Sequence, residues 1–61
     1  MSLPLYVLFY VAPFTKELVE KYFYTTKEIR DYLWDNRNKM IDPTIHLFRS
    51  MTQITEKDLR D

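Results

Sequence analysis

The run Leu5–Ala12, LYVLFYVA, places eight consecutive residues with no charge among them in a chain of 61. A domain this small has little core to spare, so such a run must be covered if the chain folds alone. It is too short to cross a bilayer, which takes about 20 apolar residues. It is also too rich in β-branched and aromatic side chains to suit a surface helix. The run therefore predicts the central strand of a small single domain spanning residues 1–61. Pro4 can open that strand without removing a needed ladder donor, and Pro13 closes it.

The residues that are missing constrain the chemistry. There is no cysteine and only one histidine, so neither a disulfide framework nor a thiolate metal site is available. There is no glycine, which removes every glycine-rich phosphate loop and the tightest hairpin turns. Any hairpin must use a longer loop. Lys plus Arg and Asp plus Glu both number 9, giving a formal net charge of zero. Zero charge disfavours a nucleic-acid partner, whose binding leans on phosphate neutralisation. It also removes net repulsion as a guard against self-association. No Lys or Arg precedes Lys16, so the N-terminal run lacks the basic flank of a signal peptide. The expectation is a cytoplasmic protein with no membrane partner, no cofactor and no enzymatic activity.

The segment Glu17–Thr25, ELVEKYFYT, fits two patterns. As a helix it would carry Leu18, Val19, Tyr22 and Phe23 on one stripe, with Lys16/Glu20 and Glu17/Lys21 paired at i,i+4. As a strand, Val19, Lys21 and Phe23 face one way, with Leu18, Glu20, Tyr22 and Tyr24 the other. The strand is preferred, because Tyr22-Phe23-Tyr24-Thr25 has strong strand propensity. Next, Thr25 stands three residues before Glu28, the spacing of a capping box, and predicts a helix from Thr26 to about Asn38. Its apolar face is Ile29, Tyr32, Leu33 and Met40, with a Lys27/Asp31 pair on the solvent side. Asp42-Pro43 bars the helix from continuing. Thr44–Thr52 reads as a third strand, with Ile45 and Leu47 toward the helix. Thr55 and Asp58 form a second box that allows a short C-terminal helical turn, docked through Leu59.

The predicted fold is α+β: a small three-stranded, mainly antiparallel sheet, β-β-α-β with order 2-1-3, and one helix on one face. That order puts the most apolar strand in the centre.

Catalytic and metal readings are weak. His46 and Ser50 stand about 13 Å apart along a strand, too far for a nucleophile and its base. Asp31 and Asp35 share a helix face but offer fewer oxygens than a hard cation wants, and basic residues surround them. Arg30, Arg37 and Lys39 flank Trp34, a pattern that could stack a base and contact phosphate, but interleaved acids cancel the field. The aromatic content is 16%. One helix covers only one face of the sheet, so Tyr6, Tyr10, Tyr22, Tyr24 and Phe48 become candidates for an uncovered interaction face, with Trp34 at a contact edge.

The segments YVLFYVA, EKYFYTTKEIRDYLWDN and IHLFRSMTQITEKDL together resemble short uncharacterised proteins of phages and prophages of Gram-positive bacteria. That resemblance implies a hairpin, a Thr-capped helix and a final strand, and an accessory or host-interaction role. Its motifs are structural, so it assigns no site residue. The functional expectation is a protein-interaction module that self-associates through an aromatic sheet face or an edge strand. The alternative is a nucleic-acid-binding accessory protein using Arg30, Arg37, Lys39 and Trp34.

Overall fold

The computed structural model describes residues 3–59. Met1, Ser2, Arg60 and Asp61, the ends of the expected domain, lie outside the described residues. Strand β1 (Tyr6–Val11) is followed by β2 (Leu18–Phe23), α1 (Thr26–Asn36), a 3₁₀ turn (Arg37–Lys39), β3 (Ile41–Leu47), β4 (Gln53–Ile54) and a second 3₁₀ turn (Glu56–Asp58). The sheet order is β2-β1-β3-β4, with every pairing antiparallel. The most apolar strand is therefore central, and Glu17–Thr25 contributes a strand rather than a helix. Since β2 and β3 both run against β1, they are parallel to each other. The helix makes the crossover that this arrangement needs.

The sheet has four strands where three were expected. The segment predicted as one strand, Thr44–Thr52, is two strands around a turn. Met51 takes φ 53°, its N–H donates to the Leu47 carbonyl at 2.7 Å, and Leu47 N–H donates to the Thr52 carbonyl at 2.9 Å. The β1–β2 loop repeats this device. Lys16 takes φ 61° and donates to the Ala12 carbonyl at 2.9 Å, while Ala12 N–H donates to the Glu17 carbonyl at 2.9 Å. Lacking glycine, the chain uses four-residue loops and places ordinary side chains in the left-handed region.

Strand β3 also starts earlier than expected. Phe9 pairs with Thr44 and Val11 with Ile41, so Asp42 and Pro43 together oppose Tyr10. This is a bulge, with Asp42 at φ 49°. A bulge leaves a residue out of the ladder, so Pro43 fits inside a strand that its missing N–H would otherwise interrupt.

The helix begins on the predicted box. Glu28 N–H donates to Thr25 Oγ1 at 3.1 Å, and Glu28 Oε1 accepts from the N–H groups of Thr25 (3.3 Å) and Tyr24 (2.9 Å). It ends two residues short of Asn38. There Asn36 Nδ2 donates back to the Tyr32 carbonyl at 3.0 Å and the chain tightens into the 3₁₀ turn. Ile29 and Leu33 pack on Tyr6, Leu8, Tyr10 and Ile45, and Leu59 completes the buried cluster. Leu59 is held by the second cap, in which Asp58 Oδ2 accepts from Thr55 N–H at 3.0 Å and from Thr55 Oγ1 at 3.3 Å.

Candidate interaction surface

Two of the expected surface aromatics lie on the other side of the sheet. Tyr6 and Tyr10 are buried beneath the helix, where the Tyr6 hydroxyl bonds to Thr26 Oγ1 at 3.1 Å and the Tyr10 hydroxyl to the Tyr32 hydroxyl at 2.8 Å. The reason is chemical. A tyrosine can be buried when its hydroxyl finds a partner, and the helix supplies one at each position. The helix-facing set on β1 is thus Tyr6, Leu8 and Tyr10, and the outward set is Val7, Phe9 and Val11.

The outer face is aromatic nonetheless. The β1–β2 register sets Val7 beside Tyr22, Phe9 beside Glu20 and Val11 beside Leu18, and on β3 His46 lies beside Val7. Phe9 meets His46 edge-on at 5.4 Å between ring centroids, and Tyr22 meets Phe48 in the same way at 5.8 Å. Val7, whose cross-strand neighbours are Tyr22 and His46, is only 1% exposed on a face that carries no helix. The Tyr22 hydroxyl donates to the Glu20 carboxylate, and that bond, with smaller effects of desolvation and of the Glu20 charge, raises the Tyr22 pKa above its ordinary 10. His46 Nδ1 is buried without a hydrogen-bond partner among the described residues. Tyr24 follows β2 and is exposed.

Exposure of large apolar side chains is concentrated along one side of the molecule. Of the eight exposed among the described residues, Leu3, Leu5, Phe14, Leu18, Tyr22 and Tyr24 belong to β2, its hairpin loop or the strand flanks beside it. Phe14 at the hairpin tip is 94% exposed and Leu18 is 69% exposed. Phe14, Leu18 and Leu5 were not picked out as candidate contact residues in the sequence. The one available signal was Phe14 directly after Pro13, where a turn would strand it in solvent. β2 is also an outer strand of the sheet. Ala12 and Glu17 are joined by a main-chain bond, so the antiparallel alternation aims Val19, Lys21 and Phe23 at β1. The main-chain groups of Leu18, Glu20 and Tyr22 point away from the sheet.

The helix carries the other candidate cluster. Trp34 is 71% exposed, and the Arg37 guanidinium lies 5.1 Å from its ring centroid. A groove of about 570 Å³ runs between α1 and the second 3₁₀ turn, lined by Arg30, Asp31, Trp34, Arg37, Glu56 and Leu59, among others. Lys39 lies in the first 3₁₀ turn and does not line it. Asp31 is paired with Lys27 at 3.0 Å. Acid and base therefore alternate along the groove, and Arg37 already covers a face of the indole.

Among the described residues no three His, Cys, Asp or Glu side chains gather as a metal site. No described helix is long and apolar enough to cross a membrane. Compared with known proteins, the chain matches no family model, no curated protein and no solved structure.

Proposed function

We propose that the chain is a protein-interaction module that associates with a second copy of itself along the β2 side of its sheet. What carries the reading is the set of exposed apolar side chains there: Leu5, Phe14, Leu18, Tyr22 and Tyr24 lie on or beside an outer strand whose outward main-chain groups, at Leu18, Glu20 and Tyr22, meet no further strand among the described residues. Exposed apolar side chains beside an open strand edge form a surface that a folded protein gains from covering. The zero net charge fits a second copy as the occupant, since two such chains meet without long-range repulsion. Tyr22, Tyr24 and Phe48 keep their places as contact residues in this reading. Tyr6 and Tyr10 act instead from inside the core. The module has a binding role and no reaction is assigned to His46.

Sedimentation of the wild-type chain over a concentration series tests the reading, together with a salt series. Apolar association strengthens or holds steady as salt rises. The competing reading, a nucleic-acid strand bound across Arg30, Trp34, Arg37 and Lys39, would weaken steeply. A monomer at several hundred micromolar, or binding that salt abolishes, would remove the basis for self-association. Leu18→Ser should weaken the dimer while leaving the melting temperature nearly unchanged at concentrations low enough for both proteins to be monomeric, because Leu18 is exposed in the monomer.

A further inference from the structure

Glu17 and Lys21 lie on the same side of the β2 chain segment, about 13 Å apart at the rise of a strand, so they cannot pair within one molecule. Both are exposed, and the ion pair found among the described residues is Lys27–Asp31. Two opposite charges placed symmetrically about Val19 are thus unspent beside an open edge. Resting on the self-association proposed above, we infer that two copies join β2 to β2 in antiparallel register with Val19 on the two-fold axis. Glu17 of each copy then stands opposite Lys21 of the other.

The register follows from main-chain direction and charge. Antiparallel pairing needs residues with outward-pointing main-chain groups to meet each other, which restricts the axis to passing through a residue rather than between two. With the axis on Glu20, two carboxylates oppose each other directly. With the axis on Lys21, two ammonium groups do. With the axis on Leu18, Glu20 would have to meet Lys16, which has left the extended strand at φ 61°, and with the axis on Tyr22 no acid meets a base. Like charges directly opposed across strands are destabilising, and opposite charges stabilise. With the axis on Val19, Leu18 and Glu20 of one copy exchange main-chain hydrogen bonds with Glu20 and Leu18 of the other. Val19 meets Val19, and an acid–base pair flanks the axis on either side. Glu20 takes Leu18 as its cross-strand neighbour, and its carboxylate already accepts from Tyr22 in its own chain. The outer faces of both copies, with Leu18 and Tyr22, come onto one side of a continuous sheet.

An inward-facing lysine on an outer strand can also serve to keep that edge unpaired. The two roles separate in a charge-swap experiment. Glu17→Lys and Lys21→Glu should each weaken dimerisation about tenfold or more, since each converts both flanking pairs to repulsion. The double variant should recover wild-type association. An equimolar mixture of the two single variants should form a heterodimer at least as tight as the wild type, because each copy then matches the other. Circular dichroism of the single variants checks that the monomer fold persists. If the wild type dimerises but the single variants bind as well as it does, or the mixture stays monomeric, the register is wrong while self-association stands. If the wild type is monomeric and Lys21→Glu also fails to dimerise, both the register and the self-association are wrong. If Lys21→Glu instead dimerises where the wild type does not, Lys21 is an edge guard and the register inference fails.

Discussion

Leu59→Ala should destabilise the domain by about 2 kcal/mol, and it should do so by releasing one segment rather than the whole fold. Leu59 is 3% exposed and belongs to the buried cluster with Leu8, Ile29 and Leu33. Burying a leucine side chain contributes about 1.5–3 kcal/mol. Truncation in a rigid core costs about 2–5 kcal/mol once the cavity is counted. The site is not rigidly enclosed, however. The segment from Gln53 to Leu59 is attached through two strand pairings, Ile45 with Ile54 and His46 with Gln53, and through Leu59 itself, while the Thr55–Asp58 cap only holds the segment's own shape. Once the loss exceeds the docking free energy of that segment, the segment leaves and no further stability is lost. The expected cost therefore falls near the lower end of the range.

For a chain of this length total stability is about 3–9 kcal/mol, so the variant should remain folded. Urea denaturation gives the global change, and amide exchange locates it. In the variant, exchange at Ile54 and Leu59 should rise about 30-fold, the factor that about 2 kcal/mol implies, while amides in β1 change less. A global loss under about 0.5 kcal/mol would mean that Leu59 contributes little to the core. A uniform rise in exchange through all strands would mean that the segment does not open separately.

Lys16 holds φ 61° in the first hairpin loop. Glycine there should stabilise by about 0.5–1 kcal/mol, because relief of about 1–2 kcal/mol of left-handed strain outweighs its extra unfolded-chain entropy; Thr15→Gly, with no such strain to relieve, should destabilise, and thermal melts compare them. Burial, and then the hydrogen bond with Tyr10, push the Tyr32 phenol up to about 12. The fold favours the neutral phenol, so its contribution is complete below about pH 10 and is lost as the pH rises towards about 12. Urea midpoints across that window should fall less for Tyr32→Phe than for the wild type, and equal declines would count against the assignment.

Local signals were legible in the sequence. Thr25 and Glu28 are three residues apart, so their cap depends on nothing distant, and it forms where the spacing placed it. The same holds for Thr55 and Asp58, and for Ile29 and Leu33 as the buried stripe of the helix. The order of the first three strands followed from hydrophobicity, since the strand with two apolar faces belongs in the middle. The two-residue strand β4 was not legible. It exists because Met51 enters a backbone region that methionine seldom occupies, and composition gives no hint of that. The bulge at Asp42-Pro43 was hidden for a related reason, since proline argues against a strand unless the partner tolerates an irregular register.

The faces of β1 posed a different problem, and it bears on the contact surface. Alternation identifies a buried face only when one side is polar, and Leu5–Ala12 is apolar on both. What placed Tyr6 and Tyr10 inward was a pair of hydroxyl partners, Thr26 and Tyr32, that lie 20 and 22 residues away. With those tyrosines accounted for by the core, an aromatic surplus no longer argues by itself for an interface. Position matters instead: Phe14, Leu18, Tyr22 and Tyr24 are all exposed on or beside the one outer strand β2. The Glu17/Lys21 spacing also changes meaning there. In a helix those residues would satisfy each other at i,i+4. In the strand they are separated, and a second strand running antiparallel is the simplest arrangement that brings each within reach of its opposite.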